Sequence, residues 1–414
     1  RKLHTMKTAS ESQRIQGHNG GVYDLLDLVP NGDAGLFGMV RKASVVTTSP
    51  CMGPTTRAGD RVAIKELRES EHTTLKLGLT SKSSLEEGIL IRKGTRKLVI
   101  GEELTLDHVD VIRPRGSSFS VGAVSIDGSV RELQLKEYKA LFCTNEGAST
   151  EDAPSKWTEF VKRLERLHKE RRMMEEAPDH PNLLPLLDWA EEIDGNEIRV
   201  FLVMPLCDGD LLDHLSMEKP GDAMARRYFA DISSAVLALH RAGIVHRDIK
   251  CDNIFVDRDE NGAVRLRLGD FGAATKIHRS EDGSPRRLFA RVGSHMTMAP
   301  EVITQSETDE PDVDPEADDG YCGERADAWS LGVILFQLLM QTDFWLKTTF
   351  GWAKMQIAAT SDSGFKALVN KTGRLPEKIP AGARPVILQL LNVEANKRLT
   401  IEAALNQPWV AGRE

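Results

Sequence analysis

The chain reads His246-Arg247-Asp248-Ile249-Lys250-Cys251-Asp252-Asn253, then Asp270-Phe271-Gly272, then Ala299-Pro300-Glu301. Taken singly, an Asp or Asn in such a triplet is most simply a surface residue capping a turn, and a lone short match carries no more weight than that. Three motifs in one order defeat that reading, so the stretch from 246 to 301 anchors everything around it.

Outward from this stretch, the chain changes from strand-rich to helix-rich near residue 206. From Tyr23 to Leu67 the pattern predicts strands at Val22 to Val29, Met39 to Val46 and Arg61 to Leu67, with Asn31-Gly32-Asp33-Ala34-Gly35 as a turn. Residues 68 to 153 are mixed, with β-leaning pieces at Lys97 to Ile100, Val109 to Ile112, Ser120 to Ile126 and Leu133 to Tyr138. They read as a partly ordered insertion. Trp157, Phe160, Val161, Leu164, Leu167 and Met174 recur at helical spacing, and Pro178 and Pro181 end that helix. A hairpin comes next over Leu183 to Val203, turning at Asp194-Gly195-Asn196, and helical periodicity resumes over Met224 to His240 and Leu331 to Met340. Asp, Glu and Pro dominate Thr308 to Asp319, which reads as a solvated loop.

Composition narrows the function classes. The 414 residues are 40% hydrophobic, or about 48% with the 33 glycines counted, inside the usual range of soluble globular chains. The longest nearly apolar run, Leu331 to Met340, falls far short of the about 20 residues a spanning helix needs, so no transmembrane segment is expected. Lys and Arg number 54 against 62 Asp and Glu, a net charge of −8 that has the wrong sign for coating nucleic acid. Cys51, Cys143, Cys207, Cys251 and Cys322 are scattered and odd in number, which signals neither a disulfide framework nor a zinc site. Reduced thiols make the cytoplasm the default expectation. The chain opens at Arg1 with a polar first twenty residues, and a leader removed upstream would make it secreted instead. Oligomeric state is not encoded in these features.

At His246 to Asn253, Asp270 to Gly272 and Ala299 to Glu301 the chain resembles the eukaryotic protein kinases, from about Tyr23 to Trp409 apart from the insertions. The resemblance implies an α+β bilobal protein-kinase fold, with a small β-rich N-lobe carrying one main helix and a larger, mainly α-helical C-lobe. The corresponding division is a polar extension over 1–20, an N-lobe over 21–206 with an insertion at about 68–153, and a C-lobe over 207–414 with an acidic insertion at about 304–322. It also implies ATP and Mg²⁺, with Mn²⁺ able to replace it, and a protein substrate.

Phosphoryl transfer asks for positioning and charge stabilisation more than covalent chemistry. By resemblance, Asp248 accepts the proton of the substrate hydroxyl and Lys250 faces the transferred phosphate, while Asn253 and Asp270 hold the metal. Their oxygen donors suit Mg²⁺, whose remaining ligands are phosphates and water. The interval Asp257 to Gly262 reads as a lengthened hairpin turn. In the small lobe, Val62-Ala63-Ile64-Lys65 supplies the strand lysine for the α/β-phosphates, and Glu170 is its ion-pair partner. Asp33-Ala34-Gly35-Leu36-Phe37-Gly38-Met39-Val40 is similar to the phosphate loop, with Gly35 and Gly38 admitting backbone amides and Asp33 replacing the first glycine.

Lys65 precedes Glu170 by 105 positions, longer than the family's usual interval, and Leu133-Gln134-Leu135-Lys136 offers a second, degenerate candidate 34 positions before Glu170. Lys65 is the first choice and Lys136 the second. Phe201-Leu202-Val203-Met204-Pro205-Leu206-Cys207 resembles the strand and hinge behind adenine. Met204 then stands at the gatekeeper position, Cys207 gives backbone hydrogen bonds to the base, and Val40, Ala63 and Phe255 line the nucleotide. Asp210 becomes a ribose- or substrate-facing acid.

Asp327-Ala328-Trp329-Ser330-Leu331-Gly332 resembles the family's anchor helix, with Asp327 steadying the loop at 246–248 and Glu301 pairing with Arg398. Lys250 and Gly293-Ser294 match the serine/threonine branch, which implies contact between Ser294 and Asp248; Thr297 replaces the usual aromatic residue. Arg247 implies a cation awaiting a phosphate on Thr275, Ser280 or Ser284 of the activation segment. The two insertions resemble those of divergent kinases that some parasites secrete from rhoptries. The alternative from another class is a catalytically silent pseudokinase serving as a scaffold; a small-molecule phosphotransferase normally lacks the Ala-Pro-Glu and Asp-x-Trp-Ser features.

Overall fold

Side chains alternate along Arg61–Leu67, so Val62 and Ile64 fall on one face of a strand and Ala63 and Lys65 on the other. The computed structural model describes residues 14–34, 38–48, 57–70, 168–194, 197–258, 261–279, 283, 285–305, 320–341 and 378–413, together with short strands between 76 and 143. Its strands are β1 (Arg14–Gln16), β2 (Val22–Ala34), β3 (Gly38–Thr47), β4 (Arg61–Ser70), β5 (Lys76–Gly78), β6 (Ile89–Ile91), β7 (Glu103–Thr105), β8 (Val111–Arg115), β9 (Ser118–Ser125), β10 (Val130–Gln134), β11 (Phe142–Cys143), β12 (Asp188–Asp194) and β13 (Glu197–Pro205). Further on come β14 (Gly209–Asp210), β15 (Ile244–Val245), β16 (Ile254–Arg258), β17 (Val264–Leu268) and β18 (Thr275–Lys276).

Two compact units are present, Arg1–Lys169 with Leu187–Val203, and Glu170–Leu186 with Met204–Glu414. In the first, a six-stranded sheet runs in the order β1-β2-β3-β4-β13-β12. Val62 and Ile64 join Tyr23, Leu25, Ala43, Val45, Phe201 and Val203 in its core, and burying such side chains contributes about 1.5–3 kcal/mol each. Strand β4, distant in sequence from β13, lies beside it. The strands of the 68–153 region pair among themselves instead, as β10-β9-β6 with β8 on β9, and as β11-β5-β7.

One sequence expectation is corrected here. Asn31-Gly32-Asp33-Ala34 does not form the turn but continues β2, with Asp33 opposite Met39 and Ala34 opposite Gly38. Register shifts between Leu25 and Leu28 and between Leu28 and Asp33 absorb the irregularity within a longer ladder. Gly35 lies outside the described residues. So do Lys136, residues 157–167 of the expected helix, Ser280, Ser284 and the acidic run at 308–319. The hairpin at Asp194 is found, with Asp194 paired to Glu197, but it begins at Asp188 rather than Leu183. Leu183 forms a parallel bridge to Leu268.

The N-terminal approach to β2 is clasped to β12. Asp188, 1% exposed, accepts from Tyr23 Oη at 2.8 Å, Asn19 N at 3.0 Å and Trp189 N at 2.9 Å. Gly21 leaves the room for this, since a Cβ there would lie 2.0 Å from Tyr23 Oη.

In the second unit, helix Asp222–Arg241 buries Ala225, Tyr228, Phe229, Ile232, Val236 and Leu239 along one face, as its periodicity predicts. Helix Gly323–Met340 is buried nearly all round, so its polar residues must be bonded inside. Among the described residues no helix is long and apolar enough to cross a membrane. Arg398, whose side chain is fully buried, meets Glu301 through Nη1 at 2.6 Å and Nη2 at 2.9 Å and stacks 5.1 Å from the Trp329 ring centroid. Glu301→Ala strands that cation, and chemical denaturation should report a loss of about 3–5 kcal/mol.

Candidate active site

Asp327 lies near the start of helix Gly323–Met340 and is 0% exposed. It accepts from the backbone amides of His246 at 2.9 Å and Arg247 at 2.8 Å, and meets His240 Nε2 at 2.8 Å. Burial alone would raise this carboxyl, but the hydrogen bond and charge of His240, with His246 adding, hold it below the usual aspartate value. The amide pair fixes a loop in which Arg247 stands at φ 67°, a conformation that side chains other than glycine adopt at a cost of about 1–3 kcal/mol. His246, fully buried, adds a contact from Nε2 to the Gly269 carbonyl at 3.0 Å and packs 5.4 Å from the Phe271 ring.

That loop presents Asp248. Its Oδ2 accepts from Asn253 Nδ2 at 3.0 Å and lies 3.6 Å from Lys250 Nζ, while its Oδ1 accepts from the Ser294 amide at 2.7 Å. The expected Ser294 contact exists, made by the backbone. Asn253 Nδ2 also donates to the Asp248 carbonyl at 2.8 Å. With its amide nitrogen committed to both, Asn253 has Oδ1 as its remaining side-chain acceptor. Gly293 stands at φ +102° with the Arg247 carbonyl 2.2 Å from where a Cβ would sit, so only glycine fits beside the loop.

Asp270 ends the strand pair β16–β17 in the left-handed region, at φ 59°, with its side chain accepting from the Gly272 amide at 3.4 Å. Of the turn expected at Asp257 to Gly262, Asp257 and Arg258 instead end β16, opposite Arg265 and Val264, and 259–260 lie outside the described residues. Gly269, just before Asp270, has no space for a side chain against Leu184 and Phe255. Asn253, Asp248 and Asp270 are thus set by one loop and one hairpin of the second unit. Among the described residues no three His, Cys, Asp or Glu side chains form a metal cage.

In the first unit, Lys65 is 6% exposed on β4, directly opposite Val40 of β3, and Ala63 is opposite Lys42. Gly38 opens β3. The sheet order gives β4 the place next to β13, whereas β10, which leads towards Lys136, pairs with β9 in a different sheet. Glu170, 4% exposed, lies in the helix at 168–176.

Met204, 7% exposed, lies near the end of β13, and Phe255 is half-buried on β16 opposite Asp210. The Cys207 thiol is pushed up to about 12 by burial, with the charge of Asp257 adding, so it stays protonated at neutral pH. Asp210 caps helix Leu211–Met217, accepting from the Asp213 amide at 2.9 Å. Its carboxyl is raised, chiefly by burial. Thr297, 3% exposed, gives its carbonyl to Ser330 Oγ at 2.8 Å. Two residues of this region, His240 and Tyr321, carried no signal in the sequence beyond their types.

The match to known proteins agrees with this geometry. A model of the protein kinase domain matches residues 128–410. The chain is 30% identical over 252 residues to serine/threonine-protein kinase CHK1 of Saccharomyces cerevisiae, covering 59% of this chain and 42% of that protein. It is 30% identical over 251 residues to CBL-interacting protein kinase 20 of Oryza sativa subsp. japonica, covering 59% and 47%. To calcium/calmodulin-dependent serine/threonine-protein kinase 1 of the same rice it is 32% identical over 256 residues, covering 61% and 37%. The chain spans less than half the length of these relatives. It belongs to the eukaryotic protein kinase family, in the serine/threonine branch, and has that family's bilobal α+β fold. The matched range starts within the 68–153 region, so Lys65 and the glycine-rich turn rest on sheet order rather than on the match.

The depressed Asp327 carboxyl sets a pH dependence. A group whose pKa is lower folded than unfolded, where aspartate titrates near about 3.9, gives stability that is complete above that value and lost as pH falls through the folded one. Urea unfolding between about pH 3 and 7 should show wild-type stability declining on the acid side, whereas Asp327→Asn is weaker at neutral pH and has a flatter acid limb.

Proposed function

We propose that the protein is an ATP-dependent serine/threonine protein kinase that transfers the γ-phosphate of Mg-ATP to a protein hydroxyl. The observation that carries this reading is the arrangement of Asp248, Lys250, Asn253 and Ser294, in which one carboxylate is aimed by an amide, a carboxamide and an ammonium. Asp248 orients the substrate hydroxyl and takes its proton, and Lys250 neutralises charge on the phosphoryl group in transit. Asn253 Oδ1 and the Asp270 carboxylate would hold Mg²⁺, and Lys65 would take the α/β-phosphates. Gly35, Gly38 and Val40 cover the phosphates, while Ala63, Met204, Cys207 and Phe255 receive the adenine. When bound, Mg-ATP supplies the phosphoryl group and spreads its developing charge over the metal. Asp210, already spent as a helix cap, keeps one face for ribose or substrate.

The assignment of Lys65 over Lys136 is supported by the placement of β4 beside β13 and of Val40 opposite Lys65. Substrate phosphorylation and autophosphorylation with ATP and Mg²⁺ should be present in wild type and fall to background in Asp270→Asn. Lys65→Met should lose about 100-fold or more, as removal of a charge-stabilising group does, and Lys136→Met should not. No phosphorylation by wild type, with no stabilisation by nucleotide, would instead leave a scaffold.

A further inference from the structure

The segment that runs from Asp270 to Glu301 is held from outside by Gly320 and Tyr321. Leu288 and Tyr321 exchange both backbone hydrogen bonds, at 2.9 and 2.8 Å. The Tyr321 hydroxyl, on a residue 2% exposed, donates to the Ala290 carbonyl at 3.0 Å and accepts from Arg247 Nη1 at 3.4 Å. Arg247 Nε donates to the Ala273 carbonyl at 2.8 Å. Contact is close throughout: a Cβ on Gly320 would lie 2.7 Å from Arg287 Cβ and from the Leu288 carbonyl. Earlier in the segment, β18 pairs with β15, placing Thr275 opposite Val245, and the Arg286 amide donates to the His278 carbonyl at 2.8 Å.

One phenol therefore ties the catalytic loop, through Arg247, to the middle of the segment, through Ala290. Its oxygen both donates and accepts, so the buried hydroxyl is satisfied in this arrangement. A phosphate brought to Arg247 would compete with that hydroxyl for the guanidinium. We propose that Tyr321 is a positioning residue that holds the activation segment in its working arrangement with no phosphate on the segment. It stands at Arg247 where the family resemblance puts a phosphate. The proposal rests on the kinase reading for its effect on turnover, but its structural part is independent of activity.

The test uses wild type treated with phosphatase until mass spectrometry finds no phosphate, beside Tyr321→Phe, which keeps the ring and both backbone bonds. Dephosphorylated wild type should keep its activity and be cut slowly by trypsin after Arg286 and Arg287, whose side chains are exposed. Tyr321→Phe should be cut faster, and its KM for a protein substrate should rise by about fivefold, the worth of one hydrogen bond, while its KM for ATP holds. Loss of activity on dephosphorylation, or wild-type cleavage and KM in Tyr321→Phe, would overturn the proposal. If wild type phosphorylates nothing, faster cleavage of the variant still supports the clasp and counts against the kinase reading alone, while unaccelerated cleavage overturns the clasp. Should the variant fail to fold, the Leu288 amide in dephosphorylated wild type decides: slow hydrogen exchange is the expected result, fast exchange the contrary one.

Discussion

Asp327 is fully buried, and the two backbone N–H groups that it takes from His246 and Arg247 allow the catalytic loop to hold a left-handed arginine. Hydrogen bonds to a charged group contribute about 1.5–3 kcal/mol each, enough to offset the about 1–3 kcal/mol that such a backbone conformation costs. The strained turn in its turn sets the direction of Asp248 and places the Arg247 carbonyl where only Gly293 can pass. A helix buried nearly all round thus spends one carboxylate on aiming a neighbouring loop. The ion pair of Glu301 with the buried Arg398 secures the far end of the Asp270 to Glu301 segment.

The chemistry of the second unit was legible in the sequence because it is local. Asp248, Lys250 and Asn253 lie within six positions, so a short motif fixes both their types and their mutual geometry, and the structure brings them together as the motif implies. The Asp327 and Arg398 anchors were also readable, through the resemblance of Asp327-Ala328-Trp329-Ser330 and of the Glu301–Arg398 pair to the kinase pattern. Asp210 was half legible: the residue type announced an acid, but its side chain also starts a helix, a role set by the run Leu211–Met217 rather than by the acid itself.

Long-range pairing is where the sequence ran out. Nothing in the strand preceding Lys65 says which strand will lie beside it, and the sheet order that puts β4 against β13 supports Lys65 where the sequence offered two lysines. Asn31-Gly32-Asp33 carried strong turn chemistry, yet pairing with β3 continued through it, because a bulged ladder can absorb a glycine and the ladder outlasted the local signal. Tyr321 was invisible for the same reason. Its partners at positions 247, 288 and 290 are distant in the chain, and a lone tyrosine after an acidic run has no periodicity to mark it.

The central proposal is that Asn253 and Asp270 hold the metal of a nucleotide site beside Asp248. The most direct measurement is a crystal structure of the protein with Mg²⁺ and a non-hydrolysable ATP analogue. The account predicts metal density on Asn253 Oδ1 and the Asp270 carboxylate, with the Lys65 ammonium against the α- or β-phosphate. Nucleotide phosphates bound by Lys136, or metal held without Asn253 and Asp270, would contradict it.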